Sequence, residues 1–550
     1  MIGLLAISGE GAVVANRREF LTSAGLVSAA FVAGASRAFA QAGSAAVRPE
    51  TFDYVVAGAG HNSLLCAAYL AKAGNSVLVL EGRGMIGGGA KTAEVLLPGF
   101  FEDLCSSSHH VFARNPAYRD NEIEIRDYGY ELFDPEIVVH YPFADGSSMT
   151  VHRGDLDQTA ATIERVSKKD AETFRQLATA RQKVAGEDPN SADPSREALF
   201  FQRLDVLSAF DAARQLWESP QMQAAGISGG RWGGVPGSDP GTGSQAYSML
   251  THMNGRPMPV GGSGMVSTSL GRFIEAHDGI VLTNMPVVQL IIEDNRCTGV
   301  ECADGSRFRA RKGVVSTIHV KHLMAMAPSE LWGQAFTDSV DIWQPEHAMF
   351  AFHFALKGTP EYPLAAGGSI TGAEASIMER PESIFTLNQD QARGELTLDD
   401  YPLQIVHAAG YDQTRAPAGH SLLKIEGGMP YALKEGPEHW DAIKDQVADQ
   451  VLDRYLRYTP NLSRDNVLAK VIMSPLDIER MNPAMWRGSV HHLDKRWGNF
   501  APYRMPIAGL YQTGACTAPG GSVTGQPGRN AAIAILEDDG KTLADVTGKG

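Results

Sequence analysis

Residues 52–92 of this chain read FDYVVAGAGHNSLLCAAYLAKAGNSVLVLEGRGMIGGGAKT and decide its fold. An apolar run covers residues 52–57, glycines at 58 and 60 turn the chain, and residues 62–73 have a helical pattern that ends at Gly74. A second apolar run covers residues 76–80. The spacing therefore predicts a β-α-β unit: strand, tight turn, helix and second strand.

A turn of this kind is suited to a nucleotide. Gly58 permits the turn, and Gly60 lets the backbone approach a pyrophosphate at the helix N-terminus. Ser63 takes the place of the third fingerprint glycine, and Glu81 follows Gly58 by 23 residues, near the roughly 20 expected for an acid that binds a ribose hydroxyl. The predicted nucleotide contacts of this unit are Gly58, Gly60, His61, Asn62, Ser63, Glu81 and Gly82.

A second glycine run follows the β-α-β unit and separates possible cofactors, because a nicotinamide dehydrogenase has no use for it. The pattern E-x-R-x-x-x-G-G-x-x-x-T resembles that of flavoproteins of the amine-oxidase and phytoene-desaturase superfamily. The resemblance implies FAD contacts at Arg83, Gly87, Gly88, Gly89 and Thr92. Backbone N–H groups of such a loop can wrap phosphates, and arginine adds a charge-assisted bond. Lys91 stands where many relatives carry arginine, so a planar bidentate contact is not expected there.

The C-terminal residues 509–541 read GLYQTGACTAPGGSVTGQPGRNAAIAILEDDGK and resemble the terminal flavin motif of the same superfamily. The pattern predicts a short strand through Tyr511 and a helix that begins near Pro527. In this motif the helix N-terminus stabilises negative charge on the pyrimidine side of the flavin. The implied contacts are Gly514, Ala515, Gly525, Gln526 and Gly528, and we expect Gly525 and Gly528 to leave room for the ring.

The middle of the chain is predicted to complete the cofactor domain. It contains a glycine turn at 261–264, a helix at 265–277, and strands within 280–315 with a hairpin at Asp304 and Gly305. The superfamily resemblance implies that a strand here contacts the adenine through its backbone, at Val287 and Val288.

Two further segments, SDPGTGSQAYSMLTHMNG (238–255) and SPLDIERMNP (474–483), make the chain resemble the phytoene-desaturase-like branch, which includes pyridine nucleotide-disulfide oxidoreductase domain-containing proteins. The resemblance implies an α/β fold in which a Rossmann-like FAD-binding domain is built from discontinuous segments and carries an inserted α+β substrate or cap domain. We assign 41–145, 255–325 and 490–550 to the FAD-binding domain and 146–254 and 326–489 to the substrate domain.

Composition limits the remaining possibilities. The net charge of −15 argues against a nucleic-acid partner, which requires a basic face. The five cysteines form no CxxC pair and no metal-ligand spacing with histidine, so we predict no structural metal. Cys297 and Cys302 could face each other across a hairpin, and a disulfide between them stays open.

Residues 1–40 resemble a twin-arginine export signal, with Arg17 and Arg18 before a weakly apolar stretch and cleavage expected before Gln41. The apolar run is shorter than the roughly 20 residues that span a bilayer. This route carries folded proteins, which suits an enzyme that takes up its cofactor in the cytoplasm. We expect a periplasmic or otherwise exported enzyme.

Flavin accepts the hydride itself, so the protein needs few catalytic side chains. The candidates for a proton acceptor are His109, His110, His491 and His492. Cys105 and Cys516 lie in the same segments and are interpreted as small buried apolar residues.

Three functional classes fit the sequence. The first is an FAD-dependent dehydrogenase, desaturase or oxidase that acts on a small hydrophobic compound, isoprenoid or aromatic. The second is a flavin amine oxidase, expected to use a lysine near the flavin and aromatic residues around the substrate nitrogen. The third is an isomerase or binding protein with no net oxidation. Oxygen or a membrane quinone suits an exported enzyme as electron acceptor, and a quinone implies peripheral contact with the membrane.

Overall fold

The structure is a computed structural model that describes residues 13–14, 50–188, 191–229, 236–345, 348–490 and 500–548. Two sets of expectations lie outside these residues. They are the arginine pair with the cleavage site of the export signal, and the candidates His491 and His492.

The strands of the described residues, in chain order, are β1 (Val13–Val14), β2 (Thr51–Ala57), β3 (Val77–Leu80), β4 (Thr92–Ala93), β5 (Glu102–Asp103), β6 (Leu132–Phe133), β7 (Ile137–Pro142), β8 (Ser148–His152), β9 (Met258–Pro259), β10 (Ile280–Leu282), β11 (Val287–Glu293), β12 (Arg296–Cys302), β13 (Arg307–Ser316), β14 (Met349–Lys357), β15 (Glu361–Pro363), β16 (Ser369–Thr371), β17 (Ala375–Ile377), β18 (Leu403–Val406), β19 (His420–Gly428), β20 (Val467–Met473) and β21 (Leu510–Gln512).

The α-helices of the same residues are α1 (His61–Lys72), α2 (Pro116–Arg119), α3 (Leu156–Glu164), α4 (Lys168–Lys183), α5 (Arg196–Asp205), α6 (Ala209–Leu216), α7 (Pro220–Ile227), α8 (Ser248–His252), α9 (Gly264–Ala276), α10 (Val320–Leu323), α11 (Gln334–Asp341), α12 (Ser383–Arg393), α13 (Ala408–Tyr411), α14 (Trp440–Leu456), α15 (Pro475–Met481), α16 (Gln526–Asp538) and α17 (Leu543–Thr547).

The first sheet of the described chain has seven strands in the order β10-β3-β2-β13-β12-β11, with β21 beside β13. The strands β10, β3, β2, β13 and β21 pair in parallel, whereas β13, β12 and β11 form an antiparallel meander. β3 is buried along its whole length and β2 along most of it, as expected of parallel strands covered on both faces. Helix α1 packs on α9 and α16 over one face. The predicted β-α-β unit, the middle helix and the hairpin at Asp304 and Gly305 are all present.

The second sheet has eight strands within the described residues, in the order β1-β20-β14-β19-β18-β17-β7-β8. Its strands alternate between two faces. Phe350, Phe352 and Ile425 lie on the face that packs against α14 in an apolar core. Lys424 and Glu426 are buried on the opposite face, since they alternate with Leu423 and Ile425 along β19. The sheet therefore has one apolar face and one that carries buried charge.

A third part of the molecule is helical, with α3 to α8 and their own apolar core beside β7 and β8. β7 begins at Ile137 and already belongs to the eight-stranded sheet. The chain thus leaves the cofactor-binding part before residue 137, several residues ahead of the expected boundary at 145. The return to the seven-stranded sheet through α9 agrees with the expected segment 255–325.

All five cysteines are free and buried. Cys297 and Cys302 lie on the same strand, β12, and pair in register with Ile292 and Val287 of β11. They do not face each other across a hairpin, so the geometry that would have allowed a disulfide is not formed.

At the N-terminus, Val13–Val14 pairs in parallel with Ala469 and Lys470 of β20. This places two residues of the expected export signal at the edge of the eight-stranded sheet. Among the described residues no helix is both long enough and apolar enough to cross a membrane.

Candidate functional site

A cavity of about 550 Å³ lies between the two sheets. On one side it is lined by the ends of β2, β3 and β21 and the loops after them. On the other side it is lined by residues of β14, β18 and β19 and of the loop after β5. The lining includes Gly58, Gly60, His61, Asn62, Glu81, Gly82, Arg83, Gly88, Gly89, Lys91, Cys105, Ser107, Ser108, His110, Arg256, Val287, Thr317, Met349, Gln404, Glu426, Asn482, Gly514, Ala515, Cys516, Gly521, Ser522 and Val523.

The turn from β2 into α1 is fixed by close contact with Thr317, the residue after β13. Gly58 has φ +100°, and a Cβ there would lie 2.4 Å from Thr317 Cγ2. Gly514, after β21, has φ +86°, and a Cβ there would lie 2.4 Å from Thr317 Oγ1. Neither glycine tolerates a side chain, because both the backbone angle and the space exclude one. The carboxyl ends of three parallel strands meet here, which is where open α/β sheets bind ligands.

Ser63 explains how the fingerprint works without its third glycine. Its hydroxyl lies 2.7 Å from the carbonyl oxygen of Gly58 and 3.0 Å from that of Gly60. Ser63 is fully buried and does not line the cavity. It therefore stabilises the turn from behind, rather than contacting a nucleotide as the sequence suggested.

Glu81 lies at the end of β3, where the sequence placed it. Its carboxylate accepts hydrogen bonds from the N–H of Ala59 and from the N–H of Arg83, both at 3.0 Å. The side chain lines the cavity. One carboxylate thus ties the glycine turn to the following loop and presents negative charge to the cavity.

The second glycine loop lies against the first. Gly60 and Gly87 form a parallel bridge, and a Cβ on Gly88 would lie 3.2 Å from Gly60 Cα. Gly88 and Gly89 line the cavity, whereas Gly87 is needed because a Cβ would meet the carbonyl oxygen of Ala90 at 2.3 Å.

Thr92 has a structural position rather than the expected cofactor contact. Its hydroxyl donates to Asp103 at 2.6 Å and accepts from the N–H of Gly264 at 2.9 Å. It lies outside the cavity lining and ties the glycine loop to the start of α9.

Two cations lie at this end of the cavity. Arg83 donates to the carbonyl oxygen of Arg480 at 3.1 Å, and its guanidinium also lines the cavity. Lys91 is buried beside it, and burial lowers the pKa of its ammonium while the charge of Glu81 acts in the opposite direction. These cations and the uncapped N-terminus of α1 make the region favourable for a phosphate group.

The C-terminal motif contacts the cavity at residues other than those expected. Gly514 and Ala515 line it, as expected, together with Gly521, Ser522 and Val523. Gly525, Gln526 and Gly528 do not.

The glycines at the start of α16 instead make room for protein. A Cβ on Gly525 would lie 2.6 Å from Phe112 Cε2, and a Cβ on Gly528 would lie 2.2 Å from the carbonyl oxygen of Asn62. The expectation that these two glycines leave room for a flavin ring is therefore wrong. They allow α16 to approach Phe112 and α1.

The expected adenine contacts divide in the same way. Val287 lines the cavity, whereas Val288 points out of the sheet and is 46% exposed. Successive residues of a strand face opposite sides, so only one of the two can face the cavity.

The neighbouring histidines His109 and His110 have different environments. His109 is fully buried outside the cavity lining, and its two ring nitrogens lie 2.7 Å from the Tyr130 hydroxyl and 2.8 Å from the Ser263 hydroxyl. Both nitrogens are occupied, so His109 is a structural residue rather than the expected proton acceptor. His110 lines the cavity, and burial, with Arg256 and Arg114 nearby, lowers its pKa to about 4.

The cysteines of these segments reach the cavity as thiols. Cys105 and Cys516 both line it and are buried. Burial raises the pKa of each thiol to about 12. Neither thiol ionises near neutral pH, which agrees with their interpretation as small apolar residues.

Sequence reasoning missed the side of the cavity formed by the eight-stranded sheet. Met349, Gln404 and Glu426 line it, and Glu426 forms an ion pair of 2.9 Å with Lys424. The signal was present in HSLLKIEGG, where two charges at alternate positions interrupt an otherwise apolar strand. Thr317 was also missed, because nothing in its own segment shows that two distant glycines pack on it.

The site suits a dinucleotide. A Cβ on Gly60 would meet nothing closer than Ser63 Oγ at 3.9 Å, so the absent side chain leaves open space at the cavity wall. Asn62 Oδ1 is buried without a hydrogen-bond partner among the described residues. Carboxylate, guanidinium, ammonium and free helix N–H groups together match the ribose and pyrophosphate of FAD.

Solved structures with the same arrangement identify the class of protein. An oxidoreductase from Methanosarcina mazei superposes with a TM-score of 0.56 at 17% identity, covering 89% of this chain and 100% of that one. A variant of putrescine oxidase superposes with a TM-score of 0.56 at 14% identity, covering 89% of this chain and 99% of that one. At these identities the likeness establishes the fold. It is that of the FAD-dependent oxidoreductases.

The chain belongs to the flavin-containing amine oxidoreductase family, whose model matches residues 64–363. A limonene dehydrogenase polypeptide of Castellaniella defragrans is 26% identical over 89% of this chain and 95% of its own length. Pyridine nucleotide-disulfide oxidoreductase domain-containing protein 2 of Mus musculus is 26% identical over 90% and 94%. A phytoene desaturase of Cereibacter sphaeroides is 24% identical over 55% and 58%. The protein is an FAD-dependent oxidoreductase.

Proposed function

We propose that this enzyme is a dehydrogenase or desaturase that removes a hydride from a small hydrophobic substrate, isoprenoid or aromatic. One observation carries the proposal. The cavity continues from the residues suited to FAD to a wall formed by Met349, Gln404 and Glu426, which leaves room for a second molecule against the cofactor. The names of the similar proteins, limonene dehydrogenase and phytoene desaturase, support this class of substrate.

The cofactor would be held by residues from the three separate segments. Glu81 is suited to the ribose hydroxyls, Arg83 and the N-terminus of α1 to the pyrophosphate, and the backbone at Val287 to the adenine. Gly514, Ala515 and residues 521–523 are suited to the flavin end.

The bound flavin supplies the redox chemistry, since its N5 accepts a hydride. The chain has the remaining tasks. It orients the substrate against the wall of the eight-stranded sheet, excludes water from the cavity and takes up the proton that the substrate releases. His110 borders the same space and, with its lowered pKa, is neutral at pH 7.

Anaerobic mixing with candidate substrates tests the proposal. Monoterpenes, longer isoprenoids, hydroaromatic compounds and primary amines are each added to the purified yellow protein under argon. We expect the visible flavin absorbance to bleach with an isoprenoid or aromatic compound. Bleaching by amines alone would make the protein an amine oxidase, and absence of bleaching with every class would favour a role without net oxidation.

Admission of air then distinguishes the electron acceptor. Peroxide formed in proportion to bleached flavin would make oxygen the acceptor. Slow reoxidation in air, with fast reoxidation by a soluble ubiquinone analogue, would make it a quinone.

We also propose that the protein is exported through its arginine pair. Arg17→Lys with Arg18→Lys keeps the positive charge but removes the residues that the translocation machinery reads. We expect the double variant to stay in the cytoplasm of the producing bacterium. Normal amounts of mature protein outside the cytoplasm would contradict the assignment.

A further inference from the structure

We propose that Glu426 is the catalytic proton acceptor at the substrate end of the cavity and that Lys424 is its positioning residue. This proposal rests on the proposed function, because a proton must be released only if the substrate is oxidised at a C–H bond.

The first support is the position of the carboxylate. Glu81 and Glu426 are the carboxylates among the described residues that line the cavity. Glu81 already accepts two backbone N–H groups beside the glycine turn. Glu426 lies on the opposite wall, on β19, level with Gln404 of β18 and Ala351 of β14. A substrate that lies between the cofactor and this wall has Glu426 as its nearest carboxylate.

The second support is the environment that holds Glu426. Lys424 lies two residues earlier on the same face of β19, and the two side chains are 0% and 7% exposed. The Lys424 ammonium also donates to the Ser107 hydroxyl at 2.6 Å and to the carbonyl oxygen of Cys105. With three anchors, Lys424 keeps its place while the charge of Glu426 changes.

The charges around the pair favour an ionised carboxylate. Burial by itself would lower the pKa of Lys424, but Glu426, Asp103 and Glu102 more than offset this, and its pKa is raised. Lys424 therefore remains a cation at neutral pH. The other titratable or charged groups that border Glu426 or its part of the cavity are Cys105, His110, Arg256 and Lys91. Those that are charged at pH 7 are cations, so they too favour the carboxylate.

The nearby histidines are less suitable acceptors. Both ring nitrogens of His109 are bound to hydroxyl groups. His110 has its pKa lowered to about 4, chiefly by burial and then by Arg256 and Arg114, so a proton on it is disfavoured by neighbouring positive charge. Glu426 gains no such repulsion, since protonation removes its negative charge.

The reaction balances with these groups. The substrate loses one hydrogen with its electron pair, as hydride, to the bound flavin. An adjacent C–H bond, or the O–H bond of an alcohol, loses its hydrogen as a proton to Glu426, and the electron pair of that bond becomes the new C=C or C=O bond. The substrate is oxidised by two electrons, and the proton leaves Glu426 for solvent when the product departs.

Glu426→Gln tests the proposal, with Glu122→Gln as a matched control. Glu122 has a side chain 8% exposed, against 7% for Glu426, and also pairs with a buried cation, Arg529 at 2.8 Å, but it does not line the cavity. We expect flavin reduction by substrate to slow about 10²–10⁴-fold in Glu426→Gln, the range for loss of a general base. FAD content should be unchanged in both variants, and Glu122→Gln should reduce at the normal rate.

A second readout does not depend on turnover. Infrared spectra of the oxidised holoenzyme are recorded as the pH is lowered. We expect a protonated carboxyl band that is absent from Glu426→Gln and present in Glu122→Gln. In Lys424→Met, that band should appear at higher pH, and the low-pH loss of flavin reduction rate should move up with it, which a merely structural lysine would not cause.

The outcomes separate this proposal from the proposed function. If no substrate bleaches wild-type flavin, the proposed function fails, and the infrared titration still decides whether Glu426 titrates in the cavity. Bleaching by Glu426→Gln at the wild-type rate overturns the proton acceptor. If Glu426→Gln does not fold, Lys424→Met with Glu426→Gln removes both charges together, and the same slow reduction is expected of it.

Discussion

The glycine turn at residues 58–60 and the charged face of β19 border the same cavity but are built differently. The turn is made by residues adjacent in sequence, and its form is fixed by backbone angles and by contact with Thr317. The face of β19 combines Glu426 with Gln404 and Met349 from strands far away in the chain. Local geometry thus determines the cofactor side, and strand pairing determines the substrate side.

This difference predicts that single backbone changes on the cofactor side abolish binding, whereas charge changes on the substrate side alter rate and pH dependence. Four experiments test that distinction, beginning with the largest expected effect.

Gly58→Val is expected to abolish FAD binding. A side chain at φ +100° is strained, and its Cβ would lie 2.4 Å from Thr317 Cγ2. Strain and overpacking together cost about 2–6 kcal/mol. Flavin absorbance of the purified protein and its thermal midpoint measure the effect. Gly305→Val is the control, since Gly305 has φ +85° but no atom within 4 Å of its Cβ position. Equal losses in the two variants would show that Thr317 is not the cause.

Gly525→Val is expected to destabilise the protein without changing the flavin reduction potential. The new side chain would meet Phe112 and Leu65 rather than the cavity, at a cost of about 1–3 kcal/mol from overpacking. Unfolding midpoints of apoprotein and holoprotein should fall alike, and Gly540→Val, with open space at φ +72°, controls for backbone strain. A lowered reduction potential would instead restore the expectation from sequence that this glycine leaves room for the flavin.

Glu81→Ala is expected to weaken FAD binding by about 1.5–3 kcal/mol, the contribution of a charge-assisted hydrogen bond. The variant also leaves the N–H groups of Ala59 and Arg83 without their acceptor. Equilibrium titration of apoprotein with FAD measures the change, and Glu81→Gln, which retains an acceptor oxygen, should lose less. Wild-type affinity in both variants would remove Glu81 from the site.

The smallest effect is expected from His407, on the substrate side but outside the cavity. Its Nε2 lies 3.1 Å from the hydroxyls of Tyr362 and Tyr455, and burial lowers its pKa from 6.5 to about 4. The unfolded chain therefore binds a proton that the folded chain excludes. The free energy of unfolding should fall as the pH drops from about 6.5 to about 4.

Urea unfolding at several pH values measures this slope. His407→Gln should flatten it, because one titrating group is removed. His439→Gln, at a partly exposed position, should retain the slope of the wild type. An unchanged slope in His407→Gln would mean that other buried groups account for the acid sensitivity.

The sequence predicted the cofactor side well because its signals are local. The β-α-β unit, Glu81, the second glycine loop and the C-terminal strand and helix all occur where the patterns placed them. The errors concern which way a residue faces: Thr92 and Gly528 are needed for protein contacts, and Val288 points away from the cavity. A glycine pattern specifies that no side chain fits, but it does not specify what occupies the space.

The sequence by itself determined the fold, the family and the cofactor, because turns, helix starts and strand alternation depend on neighbouring residues. Only the tertiary structure decided that Thr317 packs against two glycines 456 positions apart in the chain, Gly58 and Gly514. It also decided that His109 is held by two hydroxyls while Glu426 borders the cavity with Lys424 beside it. These contacts depend on which strands pair and in what register, and one residue of register would turn Glu426 from the cavity into the apolar core.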